Sequence, residues 1–90
     1  MERTILTSEF LSVVIRDRNN LLFQGHADSV SSFNAKGPFD VLPQHANFIS
    51  IIQKAVILHL KGKPDKRIDV QSGVLKVRDN NIEIYLGILR

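Results

Sequence analysis

Short apolar runs alternate with turn-forming clusters along the whole chain. Leu11, Val13 and Ile15 alternate with Ser12 and Val14, the period of a strand with one buried face. Ile82, Ile84, Leu86 and Ile88 alternate with Glu83, Tyr85 and Gly87, the cleanest period-two run present. Leu75 and Val77 point one way while Lys76 and Arg78 point the other. Leu21 to Phe23, Ala27 to Phe33, Phe39 to Leu42 and Ile68 to Val70 supply further short strands. Between them lie turn-type clusters at Asn19-Asn20, Asn34 to Pro38, Pro43 to Asn47, Lys61 to Asp65 and Asp79 to Asn81. Many short strands joined by turns predict a sandwich or a barrel.

The stretch from Phe48 to Leu60 is ambiguous. It holds no Gly or Pro, and Phe48, Ile51, Ile52 and Ala55 also suit a helical face. Five of its thirteen residues are Val or Ile, which favours two strands broken near Gln53-Lys54, with a helix as the competing reading. Composition points the same way, because 18 Val plus Ile stand against 4 Ala. Branched side chains lose rotamer freedom in a helix and pack well on a pleated surface. The expectation is an all-β fold, a small antiparallel β-sandwich of about eight to ten short strands over residues 10–90. Residues 1–9 are read as a flexible or edge N-terminus.

The remaining composition is mainly exclusive. No apolar run approaches the ~18 residues of a membrane span. Met1-Glu2-Arg3-Thr4 carries an acid and lacks a long apolar stretch after it, so a secretory signal is not expected. With no cysteine there is neither a disulfide framework nor thiolate chemistry, which fits a reducing compartment. A net charge of +3 is too small to imply nucleic acid by itself.

Candidate chemistry is sparse. His26, His45 and His59 do not share an element at metal-ligand spacing, so no metal site is expected. His45 lies in a Pro-Gln-His-Ala turn, where its ring can donate to loop carbonyls, and His59 reads as solvent-facing. No Gly-x-Ser-x-Gly elbow frames any serine, nothing favours a Ser–His–Asp site, and carboxylates are scattered singly. No Gly-rich phosphate loop is present, so neither a cofactor nor tight nucleotide binding is expected. Any affinity for ATP should be no better than roughly millimolar. Lys61, Lys63, Lys66 and Arg67 surround one turn, but Asp65 and Asp69 dilute them and no aromatic is interleaved, so they read as solvated rather than nucleic-acid binding.

The order of the pieces resembles the N-terminal β-sandwich of the ATP synthase epsilon chain, called delta in mitochondria. Gly37-Pro38-Phe39-Asp40-Val41-Leu42-Pro43-Gln44-His45-Ala46 is similar to that family's Gly-x-Phe-Gly-Val-Leu-Pro-Gly-His-Ala segment. Upstream, Leu22-Phe23-Gln24-Gly25-His26-Ala27-Asp28-Ser29-Val30 resembles its Leu-Phe-x-Gly-x-Ala-x-x-Val stretch. Downstream, Val70 to Val77 and Asn80 to Ile84 follow its last strands. The likeness runs from about Phe10 to Ile88.

This resemblance implies a rotor-stalk component without catalytic, cofactor or metal residues, packed between a gamma-type stalk subunit and the membrane rotor ring. It implies a location in the cytoplasm, peripheral on the inner face of the plasma membrane, without direct insertion. Lys36, Gly37, Phe39, Asp40, Gln44 and His45 become the candidate partner-contact segment; Val41, Leu42, Pro43 and Gly73 become structural positions. Several departures bear on that reading. Asp40 and Gln44 stand where the family has glycines, Lys54-Ala55 where it often has Pro-Gly, and Asn34-Ala35-Lys36 where bacterial members are commonly acidic. The chain ends at Arg90, so the family's C-terminal helical hairpin, with its regulation of ATP hydrolysis, is not expected. The alternative is a stand-alone epsilon-like binding module with a different protein or nucleic-acid partner.

Overall fold

A computed structural model describes residues 10–87, leaving residues 1–9 and 88–90, and with them the expected inward position of Ile88, outside the description. Seven strands follow one another: β1 (Leu11–Arg16), β2 (Leu21–Ala27), β3 (Ser29–Asn34), β4 (Gly37–Val41), β5 (Phe48–His59), β6 (Lys66–Arg78) and β7 (Asn81–Leu86). No helix occurs among the described residues, and Phe48–His59 is strand throughout.

The strands form one hydrogen-bonded sheet in the order β2-β1-β7-β6-β5-β3-β4. Every ladder is antiparallel except that between β1 and β7. Two features fold this sheet over on itself. First, β2 at one edge and β3 near the other are separated only by Asp28, whose N–H donates to the His59 carbonyl at 2.7 Å. An edge strand joined by one residue to a distant neighbour must curl back to reach it. Second, the long strands β5 and β6 bulge in their middles and pass from one layer to the other.

The bulges are visible in the register. Ile52 faces Gly73 and Lys54 faces Val70, so β6 advances three residues while β5 advances two. The extra residue reverses the inward parity of β6, from Ile68 and Val70 before it to Gly73, Leu75 and Val77 after it. Against β3 it is β5 that bulges: Ser31 faces Ile57 and Phe33 faces Gln53. Lys54 takes a left-handed φ of 72° there, and its ammonium lies 5.5 Å from the centroid of the Phe33 ring. Buried Ser32 donates its hydroxyl to the Ala55 carbonyl at 2.8 Å, satisfying a group within the bulge.

The expected break near Gln53-Lys54 is therefore a bulge inside one strand. Likewise Ile68–Val70 and Leu75–Val77 belong to a single strand. These fusions explain why the described residues hold seven strands rather than eight to ten. Ala27 closes β2 instead of opening β3, and β2 extends through Gln24-Gly25-His26, whose polar side chains suit an edge strand.

One apolar cluster fills the space between the layers. Leu11, Val13 and Ile15 of β1 and Ile82, Ile84 and Leu86 of β7 join Val30, Val41, Ile52, Val56, Leu58, Leu75 and Val77. With no helix among the described residues, it is the opposite layer that shelters them. Gly73 sits where the layers bend: a Cβ there would lie 2.7 Å from the Tyr85 carbonyl oxygen and 2.8 Å from a Leu86 methyl. Since the backbone oxygen cannot yield, Gly73→Ala is expected to cost about 1–3 kcal/mol. Urea denaturation of the two proteins measures it.

Candidate functional site: the contact segment and the outer face

The predicted contact segment divides into three pieces. Lys36 lies in the two-residue β3–β4 turn, its N–H donating to Asn34 Oδ1 at 2.9 Å. Gly37 to Val41 are the edge strand β4 rather than loop. Within it Val41 is fully buried, and Phe39 points inward to meet the Phe48 ring edge-on at 5.9 Å. Asp40 points out. Only Leu42 to Asn47 form a loop, in which the His45 N–H closes a turn on the Leu42 carbonyl at 3.1 Å.

Polar bonds fix this loop to the β6–β7 turn. The Gln44 N–H donates to Asn80 Oδ1 at 2.7 Å, and the Asp79 N–H donates to Asn47 Oδ1 at 2.9 Å. His45 Nδ1 donates to the Ala46 carbonyl at 2.7 Å, and its ring lies 4.9 Å from that of Phe48. Leu42, Gln44 and His45 are exposed, so they are the loop's outward groups. Gln44 holds a φ of 71°, a backbone shape natural to glycine.

A second constellation was not legible in the sequence. His59 is half-buried rather than simply solvent-facing. Its Nε2 lies 2.8 Å from Ser31 Oγ and its Nδ1 3.1 Å from Asp65 Oδ2, while Ser31 Oγ donates to Asp40 Oδ1. The atoms match a Ser–His–Asp arrangement, but the proton directions do not. A nucleophilic serine gives its proton to the imidazole. Here the hydroxyl proton is committed to Asp40, so Oγ is placed to accept from Nε2. The row is a cross-strand tie that fastens β4 through β3 and β5 to the turn beyond His59. No group of three or more His, Cys, Asp or Glu that could hold a metal occurs among the described residues.

The outer face of β5, β6 and β7 carries the feature most suited to a partner. Ile49 is 67 % exposed and Ile51 62 %. Ile51 pairs with Val74, and Val74 with Tyr85, so these apolar positions form a row straight across three strands, with Ile49 two residues along β5. Lys76, paired with both Ile49 and Glu83, borders this stripe. A shallow groove continues from Ile49 and Ile51 to Ala35 and Lys36, so the β3–β4 turn adjoins it. The sequence did carry a signal: Phe48, Ile49, Ile51 and Ile52 are apolar on both parities, the mark of a strand with two covered faces.

A family model described as ATP synthase, Delta/Epsilon chain, beta-sandwich domain matches residues 10–87. The chain belongs to this delta/epsilon family. Among curated relatives, the ATP synthase epsilon chain of Leptospira borgpetersenii is 31 % identical over 74 residues, covering 82 % of this chain and 58 % of the relative. That of Leptospira interrogans is 27 % identical over 79 residues, covering 88 % of this chain and 62 % of the relative. The Caulobacter vibrioides epsilon chain is 32 % identical over 63 residues, covering 70 % and 73 %. The chain thus spans about three-fifths of the length of its Leptospira relatives.

Two solved structures contain a chain of the same fold. A chain of the Euglena gracilis mitochondrial ATP synthase structure (OSCP/F1/c-ring) superposes with a TM-score of 0.82 at 13 % identity, over 89 % of this chain and 52 % of that one. A chain of the Tetrahymena thermophila mitochondrial ATP synthase structure (central stalk/c-ring) gives 0.70 at 11 % identity, over 89 % and 64 %.

The left-handed Gln44 makes a direct test of the loop. A β-branched side chain tolerates that φ poorly, so Gln44→Val is expected to lose about 1 kcal/mol or more. Gln44→Gly should stay within about 0.5 kcal/mol of the parent or exceed it, because relieved strain offsets glycine's entropy. Thermal melts of both variants distinguish these outcomes.

Proposed function

We propose that this domain is a non-catalytic rotor-stalk element of an ATP synthase, joining a gamma-type stalk subunit to the membrane rotor ring through packed surfaces. The observation that carries the reading is the exposed stripe Ile49–Ile51–Val74–Tyr85 on a rigid face, in a chain of the delta/epsilon family. Exposed large apolar side chains gathered in one patch favour a protein partner. The stripe is assigned to the stalk subunit. The Lys36 turn, with the outward groups Asp40, Gln44 and His45, is assigned to contact with the ring, following the family resemblance. Assembly of this kind would hold the domain at the membrane surface without insertion; no helix among the described residues is long and apolar enough to cross.

The proton directions in the Ser31–His59–Asp65 row support a structural rather than a catalytic role. Gln44 keeps a backbone shape that glycine would adopt, which supports the stalk reading over a detached module.

The test is co-purification with the gamma-type subunit of the same organism. Ile49→Glu and Ile51→Glu, both on exposed sites, should leave thermal stability nearly unchanged while weakening that association at least tenfold. Retained association in both variants would overturn the assignment of the stripe. Lys36→Glu should leave the gamma association intact and impair only assembly with the ring.

A further inference from the structure

The acceptors around His59 fix how many protons its ring carries. Asp40 on β4 stands opposite Ser31 on β3 and takes the Ser31 hydroxyl proton. Ser31 Oγ therefore presents a lone pair to His59 Nε2, 2.8 Å away. On the far side of the ring, Nδ1 lies 3.1 Å from Asp65 Oδ2, and a carboxylate only accepts. Both ring nitrogens thus face acceptors. A neutral imidazole has one N–H and satisfies one of them, whereas the imidazolium satisfies both. The arrangement is that of a charged ring, and imidazole is the side chain that ordinarily changes charge between about pH 5 and 8.

Loss of that proton must break one link, and the geometry selects which. Ser31 and Asp40 are held opposite each other by the β3–β4 ladder. Asp65 lies in the turn between β5 and β6, on the longer contact, with its side chain 57 % exposed. Water can replace the ring at that carboxylate more readily than at the part-buried bond between Ser31 and Nε2. The neutral ring then keeps Nε2–H on Ser31 and turns a lone pair toward Asp65, which repels it.

Other charges nearby leave this choice intact. β3 carries no charged residue, and Asp28 before it uses its N–H on the His59 carbonyl at 2.7 Å. At the start of β6, Lys66 pairs with Leu58 and Arg67 with Ile57, and Arg67 Nε donates to Asp69 at 3.0 Å. In the turn, Lys61 lines a small cleft with His26 and Asp28, while Lys63 is exposed and its N–H bonds the Leu60 carbonyl at 3.2 Å.

We propose that His59 is a proton-operated latch on the β5–β6 turn. With the ring protonated, Asp65 is drawn in and the segment from Lys63 to Asp65 is fastened to β3 and β4. As pH rises the proton passes to water, Asp65 swings outward, and the turn gains freedom. The same step removes one positive charge from the end of the sheet that carries Lys61, Lys63, Lys66 and Arg67. Asp40 stays bonded to Ser31 in both states. The latch is a property of this chain's own fold and does not rest on the stalk reading.

Proton–nitrogen correlation spectra of the full chain, recorded across that pH range, test it. Both His59 ring nitrogens should bear protons at the acid end, and Nε2 alone at the alkaline end. The Asp65 carboxyl carbon and the amides of Lys63 and Asp65 should shift with the midpoint of the ring, while the Asp40 carboxyl carbon moves far less. Ser31→Ala removes the acceptor at Nε2, so its neutral ring should keep Nδ1–H on Asp65 and the turn should stop responding. Asp65→Asn offers an amide N–H to a bare Nδ1, so its turn should stay fastened throughout. The proposal is overturned if the neutral ring of the parent chain is the Nδ1–H tautomer, if Asp65 fails to follow the ring, or if folded Ser31→Ala responds like the parent.

Discussion

A seven-stranded sheet with no helix among its described residues hides its apolar side from water with its own surface. The need to do so governs the whole molecule. It is met because Asp28 alone separates an edge strand from one near the far edge, and because β5 and β6 bend through both layers. Each bend has a chemical cause. An extra β6 residue reverses its inward face, Gly73 leaves room for the Tyr85 carbonyl, and Ser32 satisfies the Ala55 carbonyl inside the bulge. The core then forms from residues of every strand, and the outer face of β5, β6 and β7 keeps one apolar stripe exposed.

Much of this was written plainly in the residue pattern. β1 and β7 alternate with period two, and their observed inward residues are the ones the alternation selects. The turns fell at their polar clusters because Asn, Asp, Gly and Pro favour the necessary backbone shapes whatever the tertiary setting. The second half of β2 was harder to see. Gln24-Gly25-His26 lacks the apolar run of a buried strand, since its outward side chains face water. The continuity of β5 was obscured because a bulge places a charged, left-handed Lys54 between two apolar runs, which imitates a break.

The site was less legible than the fold, for a geometric reason. The segment from Gly37 to Ala46 reads as one motif, yet pairing with β3 makes its first half an edge strand and only its second half a loop. The Asp40–Ser31–His59–Asp65 row joins residues from β4, β3, β5 and a turn. Its existence depends on a diagonal register between β3 and β5, and alternation within any one strand says nothing of that register. Ile49 and Ile51 were different. Their doubly apolar strand pattern was available, but it was absorbed into the question of helix or strand.

The continuity of β5 and β6 has a mechanical side. In a sandwich whose layers share no strand, a force on one layer reaches the other through side-chain contacts, which slide. Here the residues bearing Ile49 and Ile51 are joined by uninterrupted backbone to those that pack in the second layer. A tangential push on the outer face is therefore carried as tension along covalent chain. It is distributed over the β5–β6 ladder in shear, with many hydrogen bonds loaded together rather than opened one at a time. The body responds as a single stiff piece, and a twist entering at one surface leaves at the other with little lost to internal slip.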